Sequence, residues 1–301
     1  MRFTTDDKPD ARRTWAAVAL LVLAYFIFDP VESAIYRPLA HALDLHMIQN
    51  RQMGMLPYVT LMIVRVTLQA LLVAGICAIL KQGFACPPLT GPRSARFAAI
   101  GLATGLLVMI VAILVIVAFG SAAAGRNGQS SVSALLYGVG WLVSDFIGAT
   151  GEELYGRVAL LLVAERLLGW RGAVVVSGLM FSIIHLDNPG ASWMWLARLC
   201  GQGMLLAYAV YRTASVWWSI GYHTGWNWAS APLFGAAGSG FLDHGHLLDF
   251  TPTGPAWITG GSVGPEGSVF AFVAVAAACC LLVATTRQRG DRPGRSTMSA
   301  P

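Results

Sequence analysis

The sequence predicts an all-α fold, a polytopic membrane helix bundle of about eight transmembrane helices with both termini cytoplasmic. Three observations carry this expectation. First, of 301 residues 56% are hydrophobic and only 12% charged, about half the charged share of a soluble domain, and the mean hydropathy is +0.62. So few charges cannot cover a water-facing surface, which excludes a soluble enzyme and equally a disordered chain. Second, the apolar residues fall in runs long enough to cross a bilayer. Third, Lys and Arg are distributed unevenly between the loops that join those runs.

Taken in order, the first span runs from Trp15 to about Tyr36, its clean apolar part ending at Phe28 before Asp29, Pro30 and Glu32. Behind Arg12 and Arg13 such a run could also serve as a signal-peptide core, but no small-x-small cleavage site follows it directly. The second span is Pro57 to Leu80 and the third Phe97 to Phe119. The stretch from Val132 to Leu168 is too long for one simple crossing, about 55 Å of helix against a hydrocarbon core of about 30 Å. A bend or a surface-lying start is expected there at Gly148 or Gly151. Four more spans follow, from Gly172 to Leu186, Trp193 to Tyr211, Val216 to Phe234 and Val269 to Val283.

Between the last two lies a Gly- and Pro-rich loop that carries Asp243, His244, His246, Asp249 and Glu266 and neither Lys nor Arg. No internal repeat is visible, and the tail after Arg289 reads as disordered. The chain thus divides into three N-terminal spans (1–131), a central segment (132–234), an extracytoplasmic loop (235–268), and a last span with its tail (269–301).

Orientation follows from the loop cations. With eight spans, fourteen Lys and Arg fall on the side of the termini, among them Arg12, Arg13, Lys81, Arg93, Arg96, Arg166, Arg171 and Arg212, and three (Arg37, Arg51, Arg126) on the other. The remaining three, Arg65, Arg157 and Arg198, lie inside spans.

Ionisable groups at membrane depth are costly, and each is a functional hypothesis. The fourth span contains Gly151-Glu152-Glu153-Leu154-Tyr155-Gly156-Arg157. Glu153 and Arg157 are i,i+4 neighbours with Glu N-terminal, the favoured order for an ion pair. Glu152 points about 100° away and has no obvious local partner. Phe181 and His185 share a face of the fifth span, as do His223 and Asn227 in the seventh. Measured from Arg166, Gly172 and Val216, Glu152 lies about 21 Å deep, His185 about 20 Å, and His223 and Asn227 about 10–16 Å. Three helices can therefore offer a carboxylate, two imidazoles and an amide to one cavity, a set able to activate a water and stabilise an oxyanion.

At these residues the sequence resembles a known family. Glu152-Glu153-x-x-x-Arg157, Phe181-x-x-x-His185 and His223-x-x-x-Asn227 are similar to the EExxxR, FxxxH and HxxxN motifs of the CAAX-protease and bacteriocin-processing (CPBP) family of intramembrane endopeptidases. The resemblance spans roughly residues 132–234. It implies that Glu152 and His185 polarise a water, that His223 and Asn227 stabilise the tetrahedral oxyanion, and that Glu153 and Arg157 hold the site in shape. It also implies a membrane-associated, CAAX-like peptide substrate. Glu152, His185 and His223 could ligate zinc, which takes N and O ligands, but HExxH is absent and the residue set suffices without metal, so no cofactor is expected.

Other readings of the same residues stand beside this one. A transporter could use the buried Glu and His, although carriers usually show internal repeats, and a non-catalytic relative could bind another membrane protein. Arg65 with Gln69 and Arg198 with Gln202 are expected to pair within the bundle, with Asp145 or with carbonyls. The histidines and aspartates of the Gly/Pro loop are expected to be solvated, and the five cysteines to be packing thiols. The tryptophans fit interfacial belts, except Trp226 and Trp228, which could line the cavity. The expected setting is a bacterial inner membrane, with the bilayer and a membrane-associated peptide or protein as partners and no nucleic acid.

Overall fold

A computed structural model describes residues 10–49, 52–82, 89–91 and 93–286. Cys86, the tail after Arg289 and the loop cations Arg2, Lys8, Arg51, Arg287, Arg289, Arg292 and Arg295 lie outside the described residues.

The first helix, α1 (Ala11–Ala42), starts where the Asp10 carboxylate accepts the backbone N–H groups of Arg12 and Arg13. It does not end near Tyr36. It continues through Pro30 and Pro38, and this extension holds Glu32 against the second helix. Two short strands, β1 (Ile48–Gln49) and β2 (Gln52–Met53), lead into α2 (Met55–Ile79), and α3 (Ser94–Ala118) follows. Among the described residues, α1, α2 and α3 are the helices long and apolar enough to cross a membrane by length and composition. A strand β3 (Ala122–Arg126) then precedes α4 (Ser131–Glu153), whose first turn is capped by the Ser130 hydroxyl.

The long central stretch bends at neither Gly148 nor Gly151. Both are helical and face α2: a Cβ on Gly148 would crowd the Tyr58 hydroxyl at 2.8 Å, whereas one on Gly151 would meet the Val66 backbone at an ordinary contact distance of 3.6 Å. The irregularity comes immediately afterwards, as a π-helical segment, Leu154–Ala159, which runs straight into α5 (Leu160–Ile183). The two halves of α5 are separated by one non-helical residue, Gly169, at φ 68°, ψ 171°, a region that favours glycine. The chain reverses there: the Ser177 hydroxyl donates to the Gly156 carbonyl at 2.9 Å, although 21 residues of straight helix would hold them about 30 Å apart.

Helices α6 (Trp193–Thr213) and α7 (Trp217–Trp228) follow, and α7 passes into a second π-helical segment, Ala229–Leu233. α3 and α7 are closely packed through Gly101 and Gly105 on one helix and Gly221 and Gly225 on the other. A Cβ on Gly101, Gly105 or Gly221 would lie 2.1 Å from the facing helix's carbonyl oxygen, so the two backbones touch directly, as in small-xxx-small membrane pairs.

The Gly/Pro loop is structured and only partly solvated, with His244 and Asp249 exposed as expected, and the fold is not purely α-helical. Strand β4 (Leu242–Asp243) pairs parallel with β2, and β5 (Leu248–Pro252) pairs antiparallel with β3 from Ala122↔Pro252 to Arg126↔Leu248. A short helix, α8 (Ala256–Thr259), and two 3₁₀ turns lead to α9 (Val269–Thr285). Asp243 and Glu266 are buried here. The loop folds because Glu266 answers a charge in the bundle: its carboxylate accepts from Arg198 at 3.0 Å, while Arg198 also donates to Gln202. Several tryptophans are core residues, not belt residues. Trp195 and Trp218 are fully buried, whereas Trp193 is exposed. Cys77 also packs in the core.

Candidate active site

Glu152 and Glu153 stand at the C-terminal end of α4, where the regular helix passes into the π segment. Successive helical side chains diverge by about 100°, and the two carboxylates accordingly serve different neighbours. Glu153 is fully buried and its Oε2 lies 3.2 Å from Arg157 Nε. The contact is an ion pair without hydrogen-bond alignment. The Arg157 guanidinium also lies over the Phe181 ring, 4.3 Å from its centroid. The other Glu153 oxygen, Oε1, is 2.9 Å from His223 Nδ1.

Glu152 faces the two histidines. Its Oε2 is 4.0 Å from His185 Nε2 and 3.9 Å from His223 Nε2, and it is buried with no hydrogen-bond partner of its own. His185 sits just past the end of α5, and its Nδ1 lies 2.7 Å from the Phe181 carbonyl oxygen. A carbonyl only accepts, so Nδ1 carries a proton and Nε2 is the nitrogen turned toward Glu152. In the same way His223 donates from Nδ1 to Glu153 and turns Nε2 toward Glu152. Phe181 packs edge-on against both rings, with centroids 4.9 Å from His185 and 5.7 Å from His223. The aromatic residue of the FxxxH pattern thus orients both imidazoles and carries Arg157 on its face.

The structure brings Glu152, His185, His223 and Asn227 to one cavity of about 710 Å³, within the range of ligand pockets. Asn227 lies one turn beyond His223 on α7. Glu153 and Arg157 sit behind this surface, buried beneath it. Gaps of 3.9 and 4.0 Å between Glu152 and the imidazole nitrogens exceed the roughly 3.4 Å separating two donors on a tetrahedral zinc, and they leave room for a bridging water. Among the described residues, no group of three or more His, Cys, Asp or Glu is placed to hold a metal ion.

Some sequence expectations are corrected here. Arg65 pairs within the bundle as expected, but its partner is neither Asp145 nor a carbonyl. It makes a two-pronged contact with Glu32 of α1, at 2.7 and 2.8 Å, on the cavity wall. Trp226 is buried beneath Arg198, and Trp228 donates to the Gly138 carbonyl, so both serve packing. Sequence reasoning missed Glu32, Asp145 and Asp243 as cavity-wall residues. Glu32 could have been found as an acid just past the apolar run of the first span. Asp243 had no local signal, because only tertiary pairing with β2 carries it inward. Burial pushes the Asp243 carboxyl up to about 8.

Residues 134–229 match the family model described as Type II CAAX prenyl endopeptidase Rce1-like. The matched segment contains all three motifs, in agreement with the resemblance to the CPBP family, and it supports a CAAX-type intramembrane protease in general terms. No curated protein and no solved structure matches the chain.

Proposed function

We propose that the protein is an intramembrane endopeptidase of the glutamate type that hydrolyses peptide bonds of membrane-associated, CAAX-like substrates. The observation that carries this reading is the single unpartnered Glu152 oxygen held 4.0 and 3.9 Å from two imidazole nitrogens. A water between Glu152 and His185 would give a proton to the carboxylate while His185 Nε2 accepts its second hydrogen. The oxygen then attacks the carbonyl carbon of the scissile bond. His223, protonated on both nitrogens, keeps its bond to Glu153 and offers Nε2–H, with the Asn227 amide, to the developing oxyanion. The proton held on Glu152 passes to the leaving amide nitrogen as the C–N bond breaks. Glu153 and Arg157 position His223 and do not touch the substrate. The catalytic core is the segment 132–234, set in an eight-span bundle in a bacterial inner membrane with both termini cytoplasmic.

The test uses protein purified in detergent and a library of fluorescence-quenched peptides. Glu152→Gln and His185→Ala are each expected to lower cleavage by at least about 100-fold, the lower range for general-base catalysis, while eluting as folded protein. Cleavage at the wild-type rate by both variants would sink the reading. A chelator is expected to leave the wild-type rate unchanged, and loss of activity restored by zinc would reassign Glu152, His185 and His223 as ligands.

A further inference from the structure

The cavity holds a second group of acids that the hydrolytic chemistry does not use. Asp145 lies seven residues before Glu152 on α4. Seven residues turn a helix through nearly two full turns, so the two side chains share a face about 10 Å apart along the axis. Both line the cavity, as does Asp243 from β4. Asp145 is only 5% exposed and Asp243 4%, and the two segments are tied together where Trp141, one turn before Asp145, donates to the His244 carbonyl beside Asp243 at 2.9 Å. Asp145 Oδ2 has no hydrogen-bond partner.

The cavity wall does not supply the missing cation. Among the described residues that line it, Arg65 is the only Lys or Arg, and both arms of its contact are given to Glu32. A buried carboxylate without a donor is costly unless something else completes it. A cationic group entering the cavity would give the Asp145 oxygen the donor it lacks and take the place of the proton on Asp243, in a cavity that also contains the hydrolytic set.

We propose that Asp145 and Asp243 form a subsite for a basic side chain of the substrate, about three residues from the bond attacked at Glu152, since an extended strand advances about 3.3 Å per residue. This rests on the protease reading for its register. The direction is toward the N-terminal end of α4, where Met47, Ile48 and Phe241 also line the cavity. A lysine or arginine is suited to the site because its long apolar stem lies along such a wall while its head reaches the two acids.

The experiment measures binding first, in the Glu152→Gln background so that no peptide is consumed. The probes are a fluorescein-labelled octapeptide of alanine and leucine with one lysine, and its twin with norleucine in place of lysine. Fluorescence anisotropy in detergent is expected to show about tenfold tighter binding of the lysine peptide. Adding Asp145→Asn or Asp243→Asn should abolish that difference, and Asp145→Glu should retain it, with each variant checked for a single folded peak on gel filtration. Equal affinity for the twins, no binding of either, or a preference that survives both Asn substitutions overturns the proposal. Cleavage by the Glu152 protein separates the two readings. Lysine-selective binding without hydrolysis keeps the subsite and sinks the protease; hydrolysis with no lysine preference does the reverse.

Discussion

Glu153 and Arg157 show what a buried charge pair does when neither partner touches the reacting atoms. Both are essentially inaccessible, and Glu153 serves Arg157 and His223 at once. Removing one member leaves the other charged and uncompensated, which costs about 3–5 kcal/mol at buried sites. Arg157→Met is therefore expected to lower the melting temperature in detergent sharply, and Glu153→Gln/Arg157→Met to recover part of the loss; a double variant no more stable than Arg157→Met would show the pair to be uncoupled. Asp243 makes a prediction of opposite character. Its carboxyl is raised to about 8 from 3.8, so the folded protein holds a proton that the unfolded chain gives up. The stability it contributes is complete below about pH 3.8 and is lost as pH rises through about 8. Thermal melts of the wild type should fall between about pH 6 and pH 9, and Asp243→Asn should flatten that slope; an unchanged slope in the variant would assign it to other groups.

At the scale of elements, the position of His223 and Asn227 depends on how closely α7 lies against α3. Four glycines at matched spacing permit that approach, and none of them touches the cavity chemistry. A side chain at Gly105 would collide with the Tyr222 carbonyl oxygen, 2.1 Å from an ideal Cβ, and backbone cannot swing aside. Gly105→Val should separate the helices, cost about 1–3 kcal/mol as other overpacked sites do, and reduce cleavage more than it reduces expression. Full activity with an unchanged melting temperature would show the contact to be dispensable. The π segment after Glu153 has a related consequence. It shifts the helix register just beyond the two glutamates, and π turns often mark functional sites for that reason.

For the whole molecule, the cavity has a side. Its wall includes Met47, Ile48, Asp187 and Asn188, which lie at the other helix ends from Lys81, Arg171 and Arg212. With the termini cytoplasmic, as the cation bias predicts, this end of the cavity would face away from the cytoplasm. In a cysteine-free background, Asp187→Cys is expected to react with a membrane-impermeant thiol reagent in intact cells, and Arg171→Cys only after permeabilisation. The reverse pattern would invert the topology and with it the compartment that supplies substrate.

The helical bundle, the apolar spans and the three motifs were legible in the chain alone, because hydrophobic runs and i,i+4 spacing are local properties of a helix. The central stretch was legible as too long for one crossing, but not where it gives way, since a packing glycine and a bending glycine look alike until α2 is in place. Which buried charges meet was decided by the tertiary structure. Glu32 reaches Arg65 across 33 residues and Glu266 reaches Arg198 across 68, because a charge in a low-dielectric interior takes whichever partner the packing delivers. The sequence by itself determined that Glu152, His185 and His223 stand in three ordered motifs at helical spacing. Only the fold turned them toward one point and set a second pair of acids, Asp145 and Asp243, on the same wall.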